Sequence, residues 1–225
     1  MVVEQTKPHF PGTRELEREH GGRPARTGRQ GQRRHAERVL KALIRAFDGG
    51  PPGALHITRD ETGRPRAKGT SAPIDLSVAH SGRWLACGVA TEGLLGIDLE
   101  TTRPRPNAPA VAAAYFGPAE QRMIAETGDQ AFLALWTLRE AFGKATGQGI
   151  AGALSLADIQ VVPAVDSAHR FNAAGCEWTI AHRCLGPLHV AIAWSIPDSD
   201  QLSRILAEIA LQVRSAAAPS ATAAS

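Results

Sequence analysis

The sequence predicts an α+β fold made of two similar halves, and three observations carry that prediction. Short apolar runs with strand character alternate with stretches whose apolar residues recur at spacings of three and four. One pair of runs, Ser77-Val78-Ala79-His80 followed by Cys87-Gly88-Val89-Ala90, is echoed by Thr179-Ile180-Ala181-His182 followed by Val190-Ala191-Ile192-Ala193, so a hairpin of similar loop length occurs twice. With 225 residues, 43% of them hydrophobic, the chain has material for one large core or two small ones.

The elements follow in chain order. Residues 1–32 show no apolar periodicity and carry Arg14, Arg18, Arg23, Arg26 and Arg29 among glycines, which predicts a flexible basic arm. From Arg34 the pattern is helical: Val39, Leu40, Leu43, Ile44 and Phe47 form one stripe, ended by Gly49-Gly50-Pro51-Pro52. Extended runs at 54–58, 75–79 and 84–90 complete a first half at 33–94, with Glu92-Gly93 as a turn. The second half, 95–214, opens with a buried strand at 96–100. Arg103-Pro104-Arg105-Pro106 then forces irregular chain, because proline removes a donor and restricts its predecessor. A helix starts at Pro118 and runs to Thr127, and a longer one from about Gln130 buries Phe132, Leu135, Trp136 and Phe142 before stopping at Gly147. Strands are expected at 159–162, 178–182 and 189–195. A final amphipathic helix is expected from Ser199, with Leu202, Ile205, Leu206, Ile209 and Val213 on one face, before a disordered tail at 215–225.

Chemistry concentrates in two runs. In Gly96-Ile97-Asp98-Leu99-Glu100, strand alternation puts Asp98 and Glu100 on one face, where two carboxylates can share a cation. In Trp136-Thr137-Leu138-Arg139-Glu140-Ala141-Phe142-Gly143-Lys144, helical spacing puts Glu140 and Lys144 a turn apart on one face. Either run alone fits a solvated strand end or a surface ion pair worth little. Together they offer three oxygen ligands and an ammonium, a set that suits a magnesium-bound pyrophosphate.

With Leu76-Ser77-Val78-Ala79-His80-Ser81-Gly82 upstream of both, the sequence resembles the 4′-phosphopantetheinyl transferases of the large, surfactin-synthetase-activating type. Those proteins carry a His-Ser-Gly stretch, then Gly-(Ile/Val)-Asp-(Ile/Leu)-Glu, then Trp-x-x-(Lys/Arg)-Glu-(Ala/Ser)-x-x-Lys. Gly63-Arg64-Pro65 resembles their Gly-Lys-Pro, and Gly147-Gln148-Gly149 with Leu154-Ser155-Leu156 resembles the loop after the signature helix. Ala79 stands where the family usually has serine, and Arg139 where lysine is common.

The resemblance implies two α+β halves related by a pseudo-twofold, with coenzyme A in the cleft between them and a monomeric protein. It implies Mg2+ on Asp98, Glu100 and Glu140, with Lys144 as a second positive contact to the pyrophosphate. Coenzyme A would be bound through Arg64, His80, Ser81, Lys144 and Arg33, with Arg26, Arg29 and Arg34 as further candidates for its 3′-phosphate. A serine of an acyl or peptidyl carrier protein would attack the β-phosphate and release 3′,5′-ADP, its proton taken by Glu140 or by a water on the metal. Asp98, Glu140 and Lys144 are the expected catalytic residues. Tyr115, Phe116, Arg122 and Met123 are candidates for carrier docking.

Bulk properties exclude other classes. No apolar stretch is long enough to cross a bilayer and the first residues lack a signal peptide's apolar segment, so the expectation is a cytoplasmic protein without a membrane partner. Cys87, Cys176 and Cys184 are odd in number and show no paired metal spacing, which argues against a disulfide framework. A magnesium-dependent nuclease would also want acids and a lysine, and the basic arm alone would fit a nucleic-acid-binding module. That nuclease chemistry generally uses Glu-x-Lys on a strand, whereas here the lysine lies four residues beyond its glutamate on a helix, so no nucleic acid partner is expected.

Overall fold

The computed structural model of the chain describes residues 29–48, 53–149, 168–173, 175–196 and 210–215. In order these form α1 (Arg29–Asp48), β1 (His56–Arg59), β2 (Pro65–Lys68), β3 (Asp75–Ser81), β4 (Trp84–Ala90), β5 (Leu95–Thr101), α2 (Ala108–Tyr115), α3 (Pro118–Thr127), α4 (Asp129–Thr146), β6 (Ala168–Ala173), β7 (Cys176–Leu185), β8 (Leu188–Ile196) and β9 (Ala210–Ser215). The α+β class is as the sequence predicts. Three antiparallel sheets occur among them, ordered β1-β2, β3-β4-β9 and β5-β8-β7-β6.

Three apolar clusters stack these elements in layers. The stripe of α1, with Val39, Leu40 and Ile44, covers Leu76, Leu85, Cys87 and Val89 on one face of β3-β4. The opposite face of that hairpin, with Ala79, Ala86 and Ala90, packs on Leu95, Ile97 and Leu99 of β5 and on Leu188 and Val190 of β8. On the far side of the four-stranded sheet, α4 lays Phe132, Leu135, Leu138 and Phe142 against Trp178, Ile180, Ala191 and Ala193. Each of the two larger sheets thus buries one face on a helix and the other on its neighbour, the usual solution for amphipathic layers. Cys87, sealed between α1 and β4, has its thiol pushed up to about 12 by burial and is a packing residue.

Both echoed hairpins exist and both turn through two residues, Gly82-Arg83 and Gly186-Pro187. Their arms differ in length: Ser77 faces Gly88, whereas Thr179 faces Trp194.

Several elements depart from the sequence reading. The first helix begins at Arg29, inside the stretch read as an arm. Three elements are not foreseen from the sequence: β2, whose Pro-Arg-Ala-Lys run is too short and charged to stand out, α2, whose alanine-rich sequence has no periodic stripe, and β6 at Ala168–Ala173. Residues 210–215, read as the end of a helix, form an antiparallel strand on the open edge of β4, with Val213 opposite Ala86. Ala-Leu-Gln-Val-Arg-Ser alternates as well as any short helical segment, and the unpaired edge decides between the two. The strand expected at 159–162, the helix start at Ser199, most of the arm and the tail after Ser215 lie outside the described residues. Among the described residues, no helix is long and apolar enough to cross a membrane.

Candidate active site

The site is set by how closely α4 lies on β5. Gly96 makes that approach possible: a Cβ there would fall on the Ala141 carbonyl and 2.6 Å from the Ala145 nitrogen. Asp98 and Glu100 follow on the same face of β5, the face that looks to α4. The helix itself is bounded by glycines at positive φ, Gly128 (73°) and Gly147 (73°), and brings Lys144 into its last turn, where the cation complements the helix dipole.

Asp98 is buried, with 7% of its surface exposed. Its Oδ1 accepts a hydrogen bond from Lys144 Nζ at 2.6 Å, while its Oδ2 is buried with no partner. Burial raises the Asp98 carboxyl's pKa, against the pull of Lys144, and the nearby charge of Glu100 adds to the rise. Glu140 is raised as well, first by burial and then by the charges of Asp98 and Glu100, with Lys144 opposing. The three carboxylates therefore share one field.

Glu100 stands at the rim. Its Oε2 accepts from Ser81 Oγ at 2.9 Å and from Arg105 Nη2 at 2.6 Å. Ser81 also accepts from the Thr101 amide at 3.1 Å, so the turn after β3 is fastened to the end of β5. Two further residues of β3 do the same along the strand: Asp75 takes the Leu95 amide at 2.7 Å and Ser77 the Ile97 amide at 2.9 Å. These side chains satisfy an edge of β5 that has no strand beside it.

The cofactor-binding candidates separate. Lys144 and Ser81 join the carboxylates, and His80 sits exposed next to Ser81 at the end of β3. Arg64 is different, because its guanidinium is committed within the protein. It binds the Asp75 carboxylate and the Lys144 carbonyl, and reaches Leu95 O at 2.8 Å and Ala145 O at 3.3 Å. Arg33 and Arg34 are exposed on α1, and Arg33 borders a separate hollow with Leu40, Ile57, Arg59 and Pro65. Arg26 lies outside the described residues.

Among the docking candidates, Tyr115 is 54% exposed and Arg122 is exposed, but Phe116 is buried against Phe132, with ring centroids 5.8 Å apart, and Met123 packs on the same core. Arg139, which precedes the signature glutamate, turns away from the site. Its Nη2 donates to Glu120 at 2.7 and 2.8 Å and its guanidinium lies 5.3 Å from the Phe116 ring centre, which locks α3 to α4.

Two features escaped the sequence reading. Arg105 reaches back to Glu100, although its setting between prolines reads only as irregular chain. Beside Glu100 on the same sheet face, His189 is its cross-strand partner, and His182 and Cys184 lie on the next strand. The His-x-Cys run before a two-residue turn was the available signal. Burial lowers the pKa of His189, opposed by the charge of Glu100.

The donor set fits a divalent cation. An orphaned buried carboxylate oxygen on Asp98 and two carboxyls with raised proton affinity mark a place where positive charge is wanted. Lys144 and Arg105 each hold one oxygen of the set. Among the described residues, the trio whose ligand atoms already lie within 4.8 Å of one another is instead His182, Cys184 and His189.

Comparison with known proteins finds a family similar to the part of the chain that carries this geometry. Residues 94–193, from the start of β5 through α4 to β8, match the 4′-phosphopantetheinyl transferase superfamily. A Synechocystis sp. protein that carries a provisional 4′-phosphopantetheinyl transferase name is 36% identical over 118 residues, covering 50% of this chain and 46% of its own. The 4′-phosphopantetheinyl transferase HetI of Nostoc sp. is 30% identical over 119 residues, 50% of each chain. The 4′-phosphopantetheinyl transferase AcpT of Salmonella typhimurium is 38% identical over 91 residues, 39% of this chain and 47% of its own. The chain thus spans about half the length of these relatives. The match to the 4′-phosphopantetheinyl transferase superfamily thus covers residues 94–193, the stretch that contains Asp98, Glu100, Glu140 and Lys144.

Proposed function

We propose that this protein transfers the 4′-phosphopantetheine arm of coenzyme A to a serine of an acyl or peptidyl carrier protein and releases 3′,5′-ADP, as a transferase of the large, surfactin-synthetase-activating type. The observation that carries the reading is the unpartnered, buried Oδ2 of Asp98, on the same sheet face as Glu100 and under the Glu140 and Lys144 turn of α4. Asp98, Glu100 and Glu140 would hold Mg2+, which when bound supplies positive charge against the pyrophosphate and its departing half. Lys144 then releases Asp98 to take a pyrophosphate oxygen. Arg105, half-exposed beside Glu100, is a second cation at the rim.

In the transfer, the serine oxygen forms a bond to the β-phosphorus as the bond to the 3′,5′-ADP oxygen breaks, and the serine proton passes to a base. That base is Glu140 or a water held by the metal, because ligation of Mg2+ would lower the basicity that burial and the neighbouring carboxylates give Glu140. His80, exposed beside the buried Ser81, is placed for a coenzyme A phosphate that approaches the turn after β3, and Arg33 is left for the 3′-phosphate. The repeated hairpin supports two pseudo-twofold halves with coenzyme A between them, within a single chain that works as a cytoplasmic monomer.

Mass spectrometry of a panel of apo-carriers after incubation with coenzyme A and Mg2+ tests the proposal. One carrier should gain a single phosphopantetheine mass, and Asp98→Asn should abolish the gain at any Mg2+ concentration. Full activity of Asp98→Asn would remove the metal assignment.

A further inference from the structure

Outside the carboxylate set, one group of side chains among the described residues is gathered as metal ligands are. His182 and Cys184 alternate on β7 to the face that carries His189 of β8, and the antiparallel register puts Cys184 opposite His189. His182 Nε2 lies 3.1 Å from His189 Nδ1, and Cys184 Sγ lies 3.9 Å from the same nitrogen. Tetrahedral zinc with ordinary bond lengths would separate two nitrogens by about 3.3 Å and a nitrogen from a sulfur by about 3.6 Å. The rings are fixed by burial, His182 at 2% and His189 at 1% exposure, while Cys184 is half-buried and leaves a route from solvent.

We propose that His182, Cys184 and His189 form a binding site for a borderline-soft divalent cation, Zn2+ in the first place, separate from the magnesium carboxylates. Two imidazoles and a thiolate are the donors that such an ion prefers to hard oxygen ligands, and three protein ligands leave one position for water. On binding, the Cys184 thiol gives its proton to solvent. The hydrogen between the facing ring nitrogens moves to the far nitrogen of one ring, so both lone pairs turn to the metal. Because His189 is the cross-strand neighbour of Glu100, the ion braces the β7-β8 hairpin directly behind that carboxylate.

The test uses the full chain, stripped of metal and titrated with Zn2+ and Co2+. One Zn2+ per chain should bind and raise the melting temperature, and Co2+ should give tetrahedral d–d absorption with a thiolate-to-cobalt charge-transfer band. Cys184→Ser should remove the charge-transfer band, and either Cys184→Ser or His182→Gln should weaken Zn2+ binding by at least about 100-fold. Asp98→Asn should leave both the zinc stoichiometry and the band in place. Circular dichroism establishes that each variant is folded. The proposal is overturned if wild-type protein binds no Zn2+, if the band survives Cys184→Ser, or if Asp98→Asn abolishes it.

Discussion

Asp98 has two oxygens in opposite circumstances, one held by Lys144 at 2.6 Å and the other buried without a partner. Its ionised form is therefore costly until a second cation arrives, and Glu140 shares the cost because its carboxyl feels Asp98 and Glu100. Both groups bind protons more tightly folded than unfolded. In the pH window between the ordinary carboxylate pKa and the raised one, the folded chain holds more protons than the unfolded chain, so this contribution to stability falls as pH rises. A divalent cation held there, as proposed, would compete with those protons and supply the missing charge, so its benefit would grow with pH through the same window. The melting temperature should thus rise more on adding Mg2+ at about pH 7.5 than at about pH 5, and Asp98→Asn should flatten the difference. A shift that stays the same from about pH 4 to about pH 9 in wild-type protein would exclude these carboxyls as the ligands.

At the scale of elements, the decisive contact is helix on helix and helix on strand around α4. Arg139 and Glu120 make a buried ion pair, 3% and 9% exposed, that joins α3 to α4, and Glu120 also takes the Gly117 amide at 2.9 Å to start α3. Removing Glu120 takes away the carboxylate that faces the buried Arg139 guanidinium, at a cost of about 3–5 kcal/mol. Glu120→Ala should lower the melting temperature by on the order of 10 °C, read by calorimetry. A loss below about 2 °C would mean that the pair is solvated and idle. The helix that carries Arg139 is legible from sequence, because its apolar residues are periodic and Gly128 and Gly147 bound it. The strand with Asp98 and Glu100 was legible for the same kind of reason. What was not legible depends on contacts between distant segments. Arg105 finds Glu100 only because the chain after β5 folds back, α2 lacks a stripe of its own, and β9 takes its form from a vacant edge on β4. Phe116 was offered as a surface residue because an aromatic near a helix end reads equally well as rim or core, and the Phe132 ring settles it as core.

Across the whole molecule, Arg64 joins more segments than any sequence motif suggests. It stands after the β1-β2 turn, where Asp60 is held down to about 2, chiefly by the Thr62 hydroxyl with help from Arg66, and takes the Arg64 amide at 3.0 Å. From there the guanidinium reaches Asp75 on β3, Leu95 on β5 and the last carbonyls of α4 at Lys144 and Ala145. One side chain thus ties the β1-β2 loop and β3 to the strand and helix that carry the site, and caps the turn from which Lys144 projects. A forked donor suits this task and a point charge does not. Arg64→Ala leaves Asp75 buried with its chief partner gone, and should cost about 3–5 kcal/mol in denaturant unfolding. Arg64→Lys should recover less than half of that loss. Because α4 loses its cap beside Lys144, kcat should fall in both variants while the KM for coenzyme A changes less than kcat. If Arg64→Ala instead keeps its stability within about 1 kcal/mol and raises the coenzyme A KM more than tenfold, the arginine binds the substrate directly, as its Gly-Arg-Pro setting suggests, and the tie between these segments must lie elsewhere.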